Sequence, residues 1–447
     1  MEESEPGERA RQRESARVRG AFLYPRTSEL REEGYYSWPG AHFDAEGHQQ
    51  LYMERIAGIE KELAMEISMD DEPLHSPDSV SRFIEETKEE NPDGLLLIPF
   101  SKGEPANIQR IIEELEVPTV ILATVGIFFT KHVSQFQNQK GVYTISSLDN
   151  FEALGHAMRM IETARWMRRS LIISIAGSES GHKVVDSLGT EVRIFPRSRF
   201  AEEFGEVETD DRVREIADAY LGNARRSVEP TESDVLDAAK TYIACRRILE
   251  AEGGDAIMMD CLGGIRDRDF PPPCMAFMSL RDEGVAASCQ DDLDAAITMM
   301  LLQHLFDRPG FQQNACCETE LNRYIGSHCT CPTRLNGTDA PGEPYALRDH
   351  NESGVGVAPQ VFWKPGQEVT MARYLQGEEP KMIIYSGEVV RCYEMPPAAG
   401  CRTNVEITLN EIDNACDVKG MHQIIIYGDY SRQLRAFCNL FGIKVVT

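Results

Sequence analysis

The feature that most constrains the fold is an alternation of short apolar segments with amphipathic helical segments, which occurs twice along the 447-residue chain. In the first set, helical segments separate the strand-like segments 18–25, 94–100, 119–124 and 142–146. The second set contains the strand-like segments 170–177, 191–195, 255–260 and 274–280. Short apolar strands that alternate with helices are typical of parallel sheets with crossover helices. We therefore expect an α/β fold with two Rossmann-like domains.

The pattern changes after residue 330, where helical periodicity nearly disappears and Gly and Pro become frequent. The strand-like segments here are 369–375, 381–393 and 404–409. This composition predicts a β-rich, barrel-like or sandwich domain that ends in a strand, a helix and a strand. The expected organisation is a disordered tail (1–16), an N-terminal α/β domain (17–166), a second α/β domain (167–330) and a β-rich C-terminal domain (331–447).

The charge of the chain argues against two classes of partner. Lys and Arg total 46 and Asp and Glu total 73, so the formal net charge is −27. Such a field repels nucleic acid and anionic membranes, and we expect neither as a partner. Residues 1–20 lack the apolar region of a secretion signal, so we expect a cytoplasmic protein. In a reducing compartment, the 12 cysteines are expected to be free thiols.

Two local patterns resemble functional motifs without matching them. The segment 176–183 (AGSESGHK) has three residues between Gly177 and Gly181, whereas a phosphate-binding P-loop has four, followed by lysine. It predicts a glycine-bearing turn between a strand and a helix. The cysteines at 316, 317, 329 and 331 do not have the spacing of a zinc knuckle.

Two acidic residues and one histidine have open interpretations. Asp291 and Asp292 stand in an acidic turn that runs into a helix, where they suit either an N-terminal cap or a functional site. His422 opens an apolar strand, where a histidine is either a hydrogen-bonded structural group or a ligand.

Five stretches in order resemble the L-fucose/L-arabinose isomerase family from about residue 90 onward. The stretches are GGDAIMMDC (253–261), DEGVAASCQDDLDAAITMMLL (282–302), RPGFQQN (308–314) with SHCTCP (327–332), GQEVTMARY (366–374) and GMHQIIIYGDYSRQLRAFCNLFGI (420–443). In that family an aldose and a ketose interconvert through an enediol. A divalent metal, usually Mn²⁺, lies between the sugar oxygens and a Glu, an Asp or Glu, and a His.

This sequence departs from the family pattern at both carboxylate positions. The first falls on Gln290 and the second on Asn314, whereas His328 and His422 match the family's histidines. An amide oxygen can ligate a metal, but it is neutral and cannot act as a base near pH 7. The resemblance therefore implies Mn²⁺ or another divalent ion that is weakly bound or absent.

The resemblance assigns candidate roles to eight residues. Catalytic roles fall on Gln290, Asn314, Asp291 and Glu318; metal ligation falls on His422, Gln290 and Asn314; sugar binding falls on His328, His350 and Asp292. Glu283 and Glu320 are further substitutes for the missing carboxylates, and an alignment shift of one residue would put Asp291 in the role of Gln290. The implied partner is a small-molecule sugar, and the implied assembly is a homo-oligomer, a trimer or hexamer.

Three functions remain open at this point. The first is an aldose–ketose isomerase-like enzyme of carbohydrate metabolism with a rearranged site. The second is a non-catalytic sugar-binding or regulatory protein, because Gln and Asn offer both donors and acceptors to hydroxyl groups. A metal-free lyase or epimerase with a histidine base is the third, and no feature of the sequence favours it.

Overall fold

The computed structural model describes residues 15–29, 40, 42–124, 127, 130–394 and 400–447. The predicted tail therefore lies outside the described residues up to residue 14. The chain forms two compact units, one from Glu14–Trp166 with Arg435–Lys444 and one from Met167–Leu434 with the chain end. The domain boundaries expected from the sequence stay a prediction. No helix in the described part of the chain has the length and apolar character that a membrane crossing requires.

The first unit contains a five-stranded parallel sheet in the order β2-β1-β3-β4-β5. Its strands are β1 (Arg17–Leu23), β2 (Glu66–Met69), β3 (Gly94–Pro99), β4 (Thr119–Ala123) and β5 (Val142–Ser146). The helices are α1 (Ala45–Leu63), α2 (Pro77–Glu90), α3 (Pro105–Leu115), α4 (Thr130–Val133) and α5 (Phe151–Met167). Every residue of β3 and β4 is buried, as expected for parallel strands covered on both faces.

The second unit contains another five-stranded sheet, in the order β10-β9-β6-β8-β7. Its strands are β6 (Leu171–Ile175), β7 (Gly181–Val185), β8 (Thr190–Phe195), β9 (Ala256–Met259) and β10 (Ala286–Cys289). The helices of this part are α6 (Arg197–Glu206), α7 (Asp211–Asn223), α8 (Glu232–Glu252), α9 (Cys261–Asp267), α10 (Cys274–Asp282) and α11 (Leu293–Phe306). The strands are parallel except for β7, which is antiparallel to β8. The predicted parallel sheets are thus confirmed.

Two local predictions in this part were wrong. Segment 274–280 was expected to be a strand, but it belongs to α10. Six of its seven residues are buried, and a short run without a polar face does not distinguish a strand from a helix. The turn at Gly177 was expected to lead into a helix, but it leads into β7, which forms a hairpin with β8; Gly177 has a φ of 63°, a conformation that glycine adopts without strain.

The C-terminal strands form a closed six-stranded barrel, and the prediction of a barrel-like or sandwich architecture is confirmed as a barrel. The barrel strands are β11 (Phe311–Glu318), β12 (Arg323–His328), β15 (Glu368–Leu375), β16 (Lys381–Cys392), β17 (Thr403–Leu409) and β18 (Gln423–Tyr427). Their order is β15-β18-β11-β12-β17-β16, and pairing of β15 with β16 closes the barrel. Further elements of the described chain are the hairpin β13 (Tyr345–His350) with β14 (Val355–Val361), a short 3₁₀ helix (Ala415–Asp417), the helix α12 (Ser431–Leu440) and the strand β19 (Lys444–Val446).

Strand ends position the candidate residues. β9 and β10 are parallel and in register, so Met259 and Cys289 lie side by side at their carboxyl ends. The turn after β10 carries residues 290–292, and His422 directly precedes β18 of the barrel. Functional side chains of α/β sheets commonly lie beyond the carboxyl ends of the parallel strands.

Candidate functional site

The turn after β10 has an unusual backbone. Gln290 and Asp291 have φ values of 60° and 50°, so two consecutive residues other than glycine are in the left-handed region. The Asp291 amide donates to the Met259 carbonyl at 2.9 Å, which ties the turn to β9. Each such conformation costs on the order of 1 kcal/mol or more and persists where the surrounding structure fixes it, often at functional sites.

Asp292 follows this turn and connects three parts of the second unit. Its Oδ1 accepts a hydrogen bond from the Ala295 amide at 3.0 Å, which caps α11. Arg373 of β15 donates to both carboxylate oxygens at 3.0 Å. His422 contacts Oδ2 through Nδ1 at 2.8 Å. Asp292 therefore fixes the turn, the arginine and the histidine relative to one another.

The charge of Asp292 is well stabilised. Burial opposes ionisation of this side chain, but hydrogen bonds from His422 and Arg373 and the Arg373 charge lower its pKa to about 2. The carboxylate is therefore ionised at neutral pH and can only accept hydrogen bonds.

This ionised carboxylate fixes the tautomer of His422. The hydrogen bond to Asp292 requires a proton on Nδ1, so Nε2 of the neutral ring keeps its lone pair. The His422 side chain is 7% exposed, and its buried Nε2 has no hydrogen-bond partner among the described residues. A buried polar atom without a partner is costly. We therefore expect the lone pair of His422 Nε2 to be used by a bound group.

His328 lies beside His422. The two rings meet edge to face with their centroids 5.7 Å apart. The Thr330 amide donates to His328 Nδ1 at 3.3 Å. Burial lowers the pKa of His328 well below its usual range, and the nearby His422, Arg281 and His350 act in the same direction. His328 is therefore a neutral group in the folded protein at pH 7.

The neutral state of His328 predicts a pH dependence of stability. The unfolded chain gains a proton on this histidine as the pH falls below about 6.5, whereas the folded chain does not. This contribution to stability is therefore present above the unfolded pKa and is lost as the pH falls. We expect urea titrations between pH 7.5 and pH 5 to show a smaller loss of stability for His328→Gln than for the parent, by at most about 1.4 kcal/mol per pH unit. If the stabilities of His328→Gln and of the parent fall in parallel with pH, the prediction is wrong.

Asp291 is a second carboxyl group in the turn. Its Oδ1 accepts a hydrogen bond from the Ser174 hydroxyl of β6 at 2.7 Å. Burial raises the pKa of Asp291, and the Ser174 hydrogen bond only partly opposes this shift. A raised pKa makes a carboxyl group better suited to exchange a proton with a ligand than an ordinary surface carboxylate is.

The other predicted site residues occupy separate positions. Asn314 is in β11 opposite Ser327, and its amide contacts Cys401 Sγ at 3.9 Å. Glu318 ends β11 at the hairpin, where its carboxylate accepts from the Glu320 amide at 3.0 Å. His350 ends β13 and contacts the Ser353 hydroxyl at 3.0 Å. No hydrogen bond or ion pair between described residues joins Asn314, Glu318 or His350 to the Asp292–His422 pair.

Sequence reasoning missed Arg373. This residue stands in GQEVTMARY, one of the stretches that carry the family resemblance. A cation in a mostly buried strand indicates a functional or structural partner, because arginine is rarely buried without one. The identity of that partner depends on long-range strand pairing, which the local sequence does not show.

The described residues do not fit the metal site that the family resemblance implies. Among them, no group of three or more His, Cys, Asp and Glu side chains is arranged to hold a metal ion. Arg373 donates to both oxygens of Asp292. This leaves His422 Nε2 as the atom of this cluster whose lone pair could bind a metal. A hard divalent cation prefers several charged oxygen ligands. The Mn²⁺ site stays a prediction.

Comparison with known proteins finds a distant sequence similarity to isomerases. No protein-family model matches the sequence. A sulfoquinovose isomerase of Alkalicoccus urumqiensis is 20% identical over 415 residues, which cover 84% of this chain and 90% of that protein. Sulfoquinovose isomerases of Priestia aryabhattai and Priestia megaterium are 22% identical over 201 residues, which cover 43% of this chain and 44% of each relative. The chain is therefore distantly similar to sulfoquinovose isomerases, in one alignment over most of its length.

Proposed function

We propose that this chain is a sugar isomerase-like enzyme that interconverts an aldose and a ketose through an enediol. The observation that carries the proposal is the Asp292–His422 pair, because it presents an unpartnered, buried basic nitrogen. The distant similarity to sulfoquinovose isomerases supports the same reaction class. The closed barrel and the sheet ends around this pair are consistent with a sugar isomerase fold.

The chemistry assigned to His422 is the transfer of a carbon-bound proton. Nε2 accepts the proton from C2 of the aldose and returns it to C1, and Asp292 stabilises the positive charge that the imidazole carries in between. Together with the His422 hydrogen bond, Arg373 keeps Asp292 ionised, and it donates to the His422 carbonyl at 3.1 Å, so it positions both members of the pair.

The exchange also needs a proton to move between the two sugar oxygens. We assign this step to Asp291, since burial raises its pKa and Ser174 holds its carboxyl group in place. A positioned proton donor or acceptor contributes typically about 10²–10⁴-fold to a rate. His328 and His350 would supply neutral hydrogen-bonding groups to the sugar hydroxyls.

Several expectations from the sequence are retained as parts of this proposal. They are a cytoplasmic location and assembly as a homo-oligomer. The binding of Mn²⁺ or another divalent ion stays a separate prediction, because the described residues do not fit such a site. The alternative of a non-catalytic sugar-binding or regulatory protein gains no support from the structure or from the relatives. A role for Gln290, Asn314 or Glu318 in catalysis stays a prediction, since none of them contacts the Asp292–His422 pair among the described hydrogen bonds.

The test is a substrate panel in D₂O. Purified protein is incubated with pentoses, 6-deoxyhexoses and sulfoquinovose, in parallel samples with Mn²⁺ and with a metal chelator. We expect one aldose to give its ketose with deuterium at C1, and the recovered aldose to carry deuterium at C2. Activity that is equal in both samples favours proton transfer by side chains alone, whereas activity only with Mn²⁺ favours the metal prediction. The absence of deuterium across the panel would rule out the proposed reaction for these sugars.

A further inference from the structure

Two exposed cysteines form a pair, one near the end of β11 and the other in the connection between β17 and β18. We propose that Cys317 and Cys416 are a reversible modification site at which two-electron oxidation forms a disulfide. Their Sγ atoms lie 2.6 Å apart, and both residues are exposed, although they are 99 positions apart in the sequence. This inference is independent of the proposed function.

The protein holds the two segments together without using the thiols. Cys416 belongs to a short 3₁₀ helix (Ala415–Asp417) in the connection between β17 and β18. The Asn322 side chain donates to the Asp413 carbonyl at 2.9 Å and accepts from the Ala415 amide at 2.7 Å. Asn414 caps the same turn by accepting from the Cys416 amide at 3.0 Å. These bonds link the connection to the β11–β12 hairpin, so the thiols are placed together before any oxidation.

Exposure distinguishes this pair from most other thiols of the chain. Cys245, Cys331 and Cys438 are buried and closed to an oxidant in solution. Thiol–disulfide exchange requires access of the attacking thiolate to a disulfide sulfur. Cys316 is also exposed and adjacent to Cys317, but no described contact joins it to Cys416, so it provides a matched control.

The oxidation balances with glutathione disulfide as the oxidant. One protein thiolate attacks the oxidant, forms a mixed disulfide and releases one glutathione thiolate. The second protein thiolate then attacks the protein sulfur of that mixed disulfide and releases the second glutathione. The protein loses two protons and two electrons and gains one S–S bond, while glutathione disulfide is reduced to two thiols.

The cross-link would join the β11–β12 hairpin to the segment that leads to His422. Residues 417–421 lead from Cys416 to His422, and His422 directly precedes β18. A covalent bond between distant positions restricts the unfolded chain, and the restriction grows with the length of the enclosed loop. We therefore expect the oxidised protein to unfold at a higher temperature than the reduced protein.

The experiment uses the full chain in buffers with graded ratios of reduced to oxidised glutathione. Free thiols are alkylated, the protein is digested, and the peptides are identified by mass spectrometry. We expect a joined peptide containing Cys317 and Cys416, lighter by two hydrogen atoms than the sum of its parts and absent after treatment with dithiothreitol. The joined peptide should persist in Cys316→Ser and disappear in Cys317→Ser and Cys416→Ser.

Three outcomes would overturn the proposal. The first is alkylation of both Cys317 and Cys416 at every glutathione ratio. The second is a stable mixed disulfide with glutathione on either residue in place of the joined peptide. The third is a cross-link from Cys416 to Cys316. Because the first readout is made on the unaltered protein, it does not depend on the folding of any variant.

Discussion

Replacing His422 by glutamine is expected to lower the rate of aldose–ketose exchange by about 10²–10⁴-fold. Glutamine can still donate a hydrogen bond to Asp292, so the contact that spans 2.8 Å in the parent has a replacement. It has no basic nitrogen, however, and cannot accept the proton from the sugar carbon. The measurement is the rate of deuterium incorporation at C2, followed by NMR with the substrate identified from the panel.

A matched control separates this effect from a general effect of losing a histidine. His182 is on the edge strand β7 with 55% of its side chain exposed, and it contacts Glu191 at 3.7 Å. We expect His182→Gln to retain the parent rate. If His422→Gln folds with an unchanged circular dichroism spectrum and exchanges deuterium at a rate close to that of the parent, then His422 is not the proton carrier.

The same variant also distinguishes the two chemical roles of Nε2. A histidine that ligates a metal commonly donates its other ring nitrogen to a carboxylate, as His422 does to Asp292. In that role, His422→Gln should weaken Mn²⁺ binding in a calorimetric titration as well as lower the rate. In the role of a base, the rate should fall in the presence and in the absence of Mn²⁺, with no change in metal binding.

Much of the fold follows from local sequence patterns. Continuous apolar segments such as 94–100 predicted buried parallel strands, and the strand-rich region after residue 330 predicted a barrel or sandwich. These predictions succeed because periodicity and turn composition are set by neighbouring residues. The helix at Cys274–Asp282 was missed because burial on all sides removes the polar face that identifies a helix.

The candidate site was only partly predictable for a physical reason. The sequence singled out Asp291, Asp292, His328 and His422, but it gave no indication that Asp292 contacts His422, 130 positions away. The contact of Arg373 with the His422 carbonyl, which completes this cluster, depends on the register of β15 with β18, in which Ala372 lies opposite Ile424. The register brings Arg373 beside the residue that precedes β18. Strand register is a property of the assembled barrel, so local patterns do not encode it.

Replacing Arg373 by methionine is expected to cause the largest loss of stability. Arg373 and Asp292 are 12% and 15% exposed, and the guanidinium contacts both carboxylate oxygens at 3.0 Å. Methionine fills similar space but leaves Asp292 without its cation. Removing one partner of a buried ion pair costs about 3–5 kcal/mol, because the remaining charge is poorly solvated. Urea unfolding at pH 7 measures this loss.

A second substitution tests whether the loss comes from the uncompensated charge. In the Arg373→Met background, Asp292→Asn removes that charge while an amide oxygen can still accept the His422 hydrogen bond. We expect the double variant to regain part of the stability, and the double-mutant cycle to give a coupling of the order of 1–3 kcal/mol. Arg246→Met, which removes a more exposed i,i+4 pair with Glu250, should cost less than about 1 kcal/mol.

The pH dependence provides the final discrimination between lost charge pairing and lost packing. In the parent the pKa of Asp292 is about 2, below its usual 3.8, so its ionised form stabilises the fold above the unfolded pKa. That contribution is lost as the pH falls through this range. If charge pairing is the cause, the difference in stability between the parent and Arg373→Met must shrink as the pH is lowered from 6 towards 3. A difference that stays constant over this range would assign the role of Arg373 to packing, and His422 would then be positioned by Asp292 without help from the arginine charge.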